Sequence, residues 1–100
     1  MNGKIKNEHI DNLFKAVLEL KDPRECYMFF EDICTVSELN AIAQRLEVAQ
    51  MLQNGSTYTE ISEETGASAA TISRVNRCLH YGADGYTLIL KRIAEKYGDK

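Results

Sequence analysis

The chain has 100 residues, 44% of them hydrophobic, with one proline and six glycines, the size and composition of one compact domain with a modest core. Its formal net charge of -3 at pH 7 argues against a nucleic-acid partner when the total is taken alone. No apolar run approaches the roughly 20 residues of a membrane span, and Met1-Asn-Gly-Lys-Ile-Lys6 lacks the apolar core of a signal peptide, so a cytoplasmic location without membrane association is expected.

Helix follows helix from the start. From about Asn7 to Leu20, Ile10, Leu13, Phe14, Val17 and Leu18 recur at helical spacing and give one broad apolar face. Asp22-Pro23-Arg24-Glu25 starts a second helix: Asp22 caps, Pro23 suits the first turn, and Glu25 is placed to reach back. That helix carries Cys26, Tyr27, Met28, Phe29, Phe30, Ile33 and Cys34. Adjacent Phe29 and Phe30 point about 100° apart, so apolar groups cover more than one face. A solitary chain has trouble hiding both.

Thr35-Val-Ser-Glu38 is a capping box that starts the third helix, with Leu39, Ile42, Ala43, Leu46, Ala49 and Leu52 as its core stripe and Gly55 as its stop. Thr57-Tyr-Thr-Glu60 repeats the device before a short fourth helix, from about Tyr58 to Thr65, which turns Ile61 inward. Gly66 supplies the positive-φ residue a sharp reversal needs, and Ser68 can cap a fifth helix. There Ile72, Val75 and Leu79 form one apolar stripe, while Ser68, Thr71, Ser73, Arg74, Asn76 and Arg77 lie opposite. Tyr81-Gly82-Ala-Asp84 breaks the chain with a glycine stop and an aspartate cap. A last helix runs from about Gly85 to Tyr97 and carries Tyr86, Ile89, Leu90 and Ile93. The expectation is six helices and no strand.

The fourth and fifth helices together read as a helix-turn-helix. In a DNA-binding motif of this kind the second helix enters the major groove with its N-terminal residues at base edges. Ala67, Ala69 and Ala70 are small enough to allow that approach. Local charge agrees better than total charge does. After Glu64 no acidic residue appears until Asp84, and the interval holds Arg74, Arg77 and His80. Other chemistry finds little support. Cys26, Cys34 and Cys78 are odd in number and lack Cys-x-x-Cys spacing, so buried thiols are expected, with no disulfide framework, metal site or cofactor. His9 and His80 lack a catalytic constellation, no glycine-rich phosphate loop is present, and an enzyme is not expected.

The run from Thr35 to about Ile93 resembles the Trp repressor superfamily. A capped helix holds Ala43-Gln44-Arg45-Leu46-Glu47-Val48-Ala49, Leu52-Gln-Asn-Gly55 follows, and the motif reads Gly66-Ala-Ser-Ala-Ala-Thr-Ile-Ser-Arg-Val75. Within that superfamily the small YerC/YecD-type branch is the better match, on the same runs together with Phe29-Phe30, Arg77-Cys78-Leu79 and Tyr81-Gly82. The resemblance covers nearly the whole chain and implies an all-α, six-helix fold built as an intertwined homodimer. Dimerisation helices would occupy about residues 7-54 of a single domain spanning 1-100, the helix-turn-helix about 58-80, and a C-terminal helix about 85-97. It further implies a sequence-specific transcriptional regulator, a repressor by analogy, reading double-stranded DNA at a near-palindromic site. By matching, Ala67, Ser68, Ala69, Ala70, Thr71 and Ser73 fall on the reading end of the fifth helix, and Arg74 and Arg77 add positive charge.

The sequence departs from the repressor in two places. There two arginines flank a bound indole; Arg45 and Arg74 match them, but Val75 stands where the repressor has glycine. A branched side chain would enter the indole's space, so tryptophan is not expected as an effector, and the sequence names no other. Arg45 could equally pair with Glu47 or Glu38, or link to the helix of Arg74 through a carboxylate. Secondly, the repressor's first motif helix contacts phosphates with basic residues, whereas Thr59 and Ser62 stand here beside Glu60, Glu63 and Glu64. That face would bind loosely, with a shallow salt dependence, unless Lys91, Arg92, Lys4 or Lys6 compensates. The alternative from another class is a helical dimer that has given up DNA and docks a protein through Tyr58, Tyr81 or Tyr86.

Overall fold

A computed structural model describes residues 7-98, and these contain six helices and no strand. They are α1 (Glu8–Val17), α2 (Pro23–Ile33), α3 (Val36–Gln53), α4 (Tyr58–Thr65), α5 (Ala69–Tyr81) and α6 (Gly85–Tyr97). Lys4 and Lys6, two of the candidate compensating cations, lie outside the described residues.

The starts of α1 to α5 follow from side-chain chemistry that satisfies backbone N–H groups with no partner inside the helix. The Asn7 carboxamide oxygen accepts from Ile10 N at 2.8 Å, and the Asp22 carboxylate accepts from Glu25 N at 2.9 Å. Thr35 and Glu38 form a reciprocal box at 2.8 and 3.0 Å, as do Thr57 and Glu60 at 2.8 and 3.1 Å. Glu25 does reach back, but to Lys21 N at 2.9 Å, one residue beyond the cap. The end of α1 comes earlier than the apolar spacing suggests. After Val17 the chain tightens, with Glu19 N and Leu20 N bonding to carbonyls three residues back at 3.1 Å.

The described residues fall into two compact units, one up to Leu39 and one from Asn40 onward. In the first, neither α1 nor α2 has a fully buried residue. Phe29 and Phe30 meet edge to face at 5.3 Å between centroids, both half-buried, while Leu18, Tyr27 and Met28 stand in solvent. The thiols expected to be buried are not: Cys26 and Cys78 are exposed and Cys34 is half-buried. Cys26 stands on a helix that buries nothing fully, and Cys78 lines an open cleft beside α5.

The second unit holds the core. Val48 and Ala49 from α3, Ile61 from α4, Ala67 from the turn, Ile72 and Val75 from α5, and Leu90 from α6 are buried together, with Met51, Leu52, Leu79 and Tyr86 packed around them. Full burial of side chains such as Ile61, Ile72, Val48 and Val75 contributes about 1.5–3 kcal/mol each by transfer from water. The stripe of α3 differs from the one read in the sequence. Ala49 is fully buried and Leu52 packs against the core, as the spacing predicts, but Ile42, Ala43 and Leu46 are exposed, and Val48, outside the expected stripe, is fully buried. Upstream, Ala41 and Gln44 are half-buried while the large apolar groups of Ile42 and Leu46 are not, which is why periodicity misses this side of α3.

The break before α6 also works differently from expectation. Gly82 closes α5, its N–H donating to Cys78 O at 2.9 Å, and a Cβ there would fall 2.5 Å from that same oxygen. Asp84 precedes α6 but makes no side-chain capping bond; it takes the left-handed conformation, φ 68°. A short polar side chain tolerates that region better than most, so the aspartate serves the chain reversal rather than the cap.

Candidate nucleic-acid interface

The helix-turn-helix is fixed by a compact set of hydrogen bonds. At the end of α4 the Thr65 hydroxyl donates to Ile61 O at 2.7 Å and accepts from Ala67 N at 3.1 Å. Gly66, in the left-handed conformation at φ 75°, donates its N–H to Ser62 O at 2.8 Å. Two residues later Ser68 is extended, and its hydroxyl accepts from Thr71 N at 3.1 Å while donating to the Thr71 hydroxyl at 3.1 Å. Three residues, Gly66, Ala67 and Ser68, thus reverse the chain and launch α5.

Helical geometry then divides α5 into faces. Ile72 and Val75 are buried and Leu79 half-buried, which anchors one side. Ser68, Ala69, Ala70, Ser73 and Arg77 are exposed. Ala70, Ser73 and Arg77 fall on the side away from the buried stripe. Ala67 stands apart from the other expected reading residues. Its side chain is 2% exposed and belongs to the core, so it holds the turn down from beneath. Between α4 and α5 a shallow hollow of about 290 Å³ is lined by Tyr58, Thr59, Ser62, Glu63 and Ala69, with Ile72 at its base. The alanine at position 69 leaves that hollow open.

On its other flank α5 meets α3 in a cleft of about 430 Å³. Arg45 and Arg74 both line it, together with Gln44, Thr71, Cys78 and Tyr86. Val75, 1% exposed, belongs both to the core and to the wall of this cleft. Thr71 and Arg74 therefore sit between the exposed side of α5 and the cleft. Motif reading does not single out Gln44, although its side-chain amide donates to Thr65 O at 3.0 Å. The signal available is its place on the same line as Ala41 and Val48.

The charge pattern is as uneven as the sequence suggests. Thr59, Ser62, Glu63 and Glu64 are exposed on α4, while the Glu60 carboxylate is held in the capping box. Lys91 and Arg92 are exposed on α6. His9 and His80 are both exposed; His80 Nδ1 donates to Asn76 O at 2.8 Å, which fixes its tautomer because a carbonyl can only accept. Among the described residues no group of three or more His, Cys, Asp or Glu side chains could hold a metal ion, and no helix is long and apolar enough to cross a membrane.

Comparisons with known proteins converge on one fold. The Bacillus subtilis (strain 168) protein YerC is 55% identical over 92 residues, covering 92% of this chain and 88% of its own length. A TrpR-like protein from Eubacterium eligens ATCC 27750, solved by crystallography, superposes with a TM-score of 0.88 at 53% identity, covering 92% of this chain and 95% of that one. A crystal structure from Staphylococcus aureus, described as a candidate Trp repressor, gives a TM-score of 0.86 at 51% identity over 90% of both chains. Residues 8–94 match the Trp repressor protein family. With that match over most of its length and six helices among the described residues, the chain belongs to the Trp repressor protein family, an all-α family of DNA-binding regulators rather than enzymes.

Proposed function

We propose that the protein is a sequence-specific transcriptional regulator, acting as a repressor, that binds double-stranded DNA as a homodimer on a near-palindromic site. The observation that carries this reading is the faced character of α5. Its apolar side is anchored in the core by Ile72 and Val75, and its other side presents Ser68, Ala69, Ala70, Ser73 and Arg77 to solvent from a capped, glycine-turned start. Small side chains at the N-terminal end admit the helix to the major groove, where hydroxyls and a guanidinium can contact base edges and phosphates. Thr71 and Arg74 complete the proposed reading set, and Ala67 supports it from within the core.

The homodimer is supported by what α1 and α2 leave uncovered. Phe14, Leu18, Tyr27, Met28 and Ile33 are all at least half exposed, more apolar surface than two short helices ordinarily show to water. We assign residues of about 7-54 to dimerisation, the helix-turn-helix of about 58-80 to reading, and the helix of about 85-97 to packing against it. A two-fold pair would space the reading helices by about one DNA turn, roughly 34 Å. Tryptophan is not the proposed effector, because Val75 occupies space that an indole would need beside Arg45 and Arg74.

The test is capture of sheared genomic DNA by the purified protein at low and moderate salt, followed by sequencing, with Arg77→Ala and Thr71→Ala alongside. Enriched fragments that share a two-fold motif and vanish in both variants support the reading. Equal recovery by wild type and variants sinks it, and the acidic face of α4 would then direct the search to a protein partner.

A further inference from the structure

The geometry points to Gln44 as a positioning residue of the reading head: by donating to the Thr65 carbonyl it fixes the end of α4, and with it the turn that launches α5. The caps at Asn7, Asp22, Thr35, Thr57 and Ser68 all join residues three apart. The Gln44 bond joins residues 21 apart, at 3.0 Å, and is partly buried. It is therefore tertiary where those are local.

Its target matters. The last carbonyls of a helix have no partner within the helix, and Thr65 O stands immediately before the left-handed Gly66. Thr65 is also the residue whose hydroxyl ties Ile61 O to Ala67 N. One side chain of α3 thus grips the peptide at which α4 ends, while the hydroxyl of the same residue grips the turn that follows. Ile61, Ala67 and Ile72 are in the core on either side of this point, so apolar packing sets the depth of the two helices and the amide sets their register against α3. Apolar contact is non-directional and cannot do the second task. A directed hydrogen bond can.

The link from this tether to DNA recognition rests on the function proposed above; the tether itself does not. The experiment separates them. Amide hydrogen exchange is measured by NMR on wild type, Gln44→Leu and Gln44→Glu, with Val48 and Leu90 as references in the core. Leucine keeps the bulk but has no donor, and an ionised glutamate turns an acceptor toward a carbonyl. The expected result is about tenfold faster exchange at Gly66 and Ala67 in both variants, the fold-change for one hydrogen bond lost, with the reference amides changing by less than about twofold. Exchange that rises equally everywhere, or nowhere, overturns the assignment. In a second arm the specific and non-specific DNA affinities are compared at one salt concentration. Gln44→Leu is expected to lose about tenfold in the specific affinity alone. Unchanged specific affinity overturns the link to recognition, and a wild type that binds no DNA overturns the proposed function while the exchange data still decide the tether.

Discussion

The Ser68 hydroxyl meets Thr71 twice, accepting from its backbone N–H and donating to its hydroxyl, each at 3.1 Å. A single side chain thereby caps α5 and orients a residue of the proposed reading face. Ser68→Ala is expected to lose about 1 kcal/mol of stability, the usual cost of removing an N-cap hydroxyl. Ser68→Asp keeps the cap but cannot donate to Thr71, so it should restore stability without restoring DNA affinity. Urea denaturation and DNA titration on the same preparations check the two effects separately.

A Cβ added at Gly66 would meet nothing within 4 Å, yet φ at this position is 75°. Crowding is therefore no obstacle to a side chain, and backbone conformation is. Gly66→Ala should cost about 1–2 kcal/mol, whereas Gly66→Asn should cost less because asparagine tolerates the left-handed region. Denaturation midpoints that rank alanine at or above asparagine would contradict this account of the turn.

Arg77 is exposed on the side of α5 away from Ile72 and Val75. If it meets phosphate, Arg77→Ala reduces the slope of log affinity against log salt by about 1 and weakens all sequences alike; if it reads a base, the slope stays and specificity relaxes at one position. Titrations on specific and scrambled duplexes at three salt concentrations distinguish these. Because α4 exposes Glu63 and Glu64 and carries no basic side chain, the wild-type slope itself should be shallow.

Val75 is 1% exposed and shared between the core and the wall of the Arg45–Arg74 cleft. Isothermal titration with L-tryptophan is expected to give no binding in the micromolar range. Saturable micromolar binding would show that the valine can move aside, which close packing opposes.

Leu18 is 81% exposed and Met28 53% exposed on helices that bury no residue fully. Sedimentation equilibrium should return twice the 11.3 kDa chain mass at micromolar concentration. Leu18→Asp combined with Met28→Asp should shift that value toward one chain and lower the melting temperature at the same time, because a dimer's stability includes its association. A double variant of unchanged mass would place the interface elsewhere.

What can be read from the chain alone is whatever neighbouring residues decide between themselves. The Thr35–Glu38 and Thr57–Glu60 boxes, the cap at Ser68, the left-handed Gly66 and the buried run of Ile72 and Val75 each depend on partners within one or two helical turns, so spacing reveals them. The small and basic residues of α5 are legible for the same reason, as is the resemblance that rests on their order. Three features needed the tertiary structure: the burial of Val48 on α3 while Ile42 and Leu46 stay exposed, the burial of Ala67, and the Gln44 bond to Thr65. Each is settled by which helix packs against which. Arg45 and Arg74 are far apart in the chain, and nothing local places them in one cleft; the shared core of α3, α4, α5 and α6 does. Sequence spacing sets the faces of each helix through covalent geometry, and packing decides which of those faces meets another.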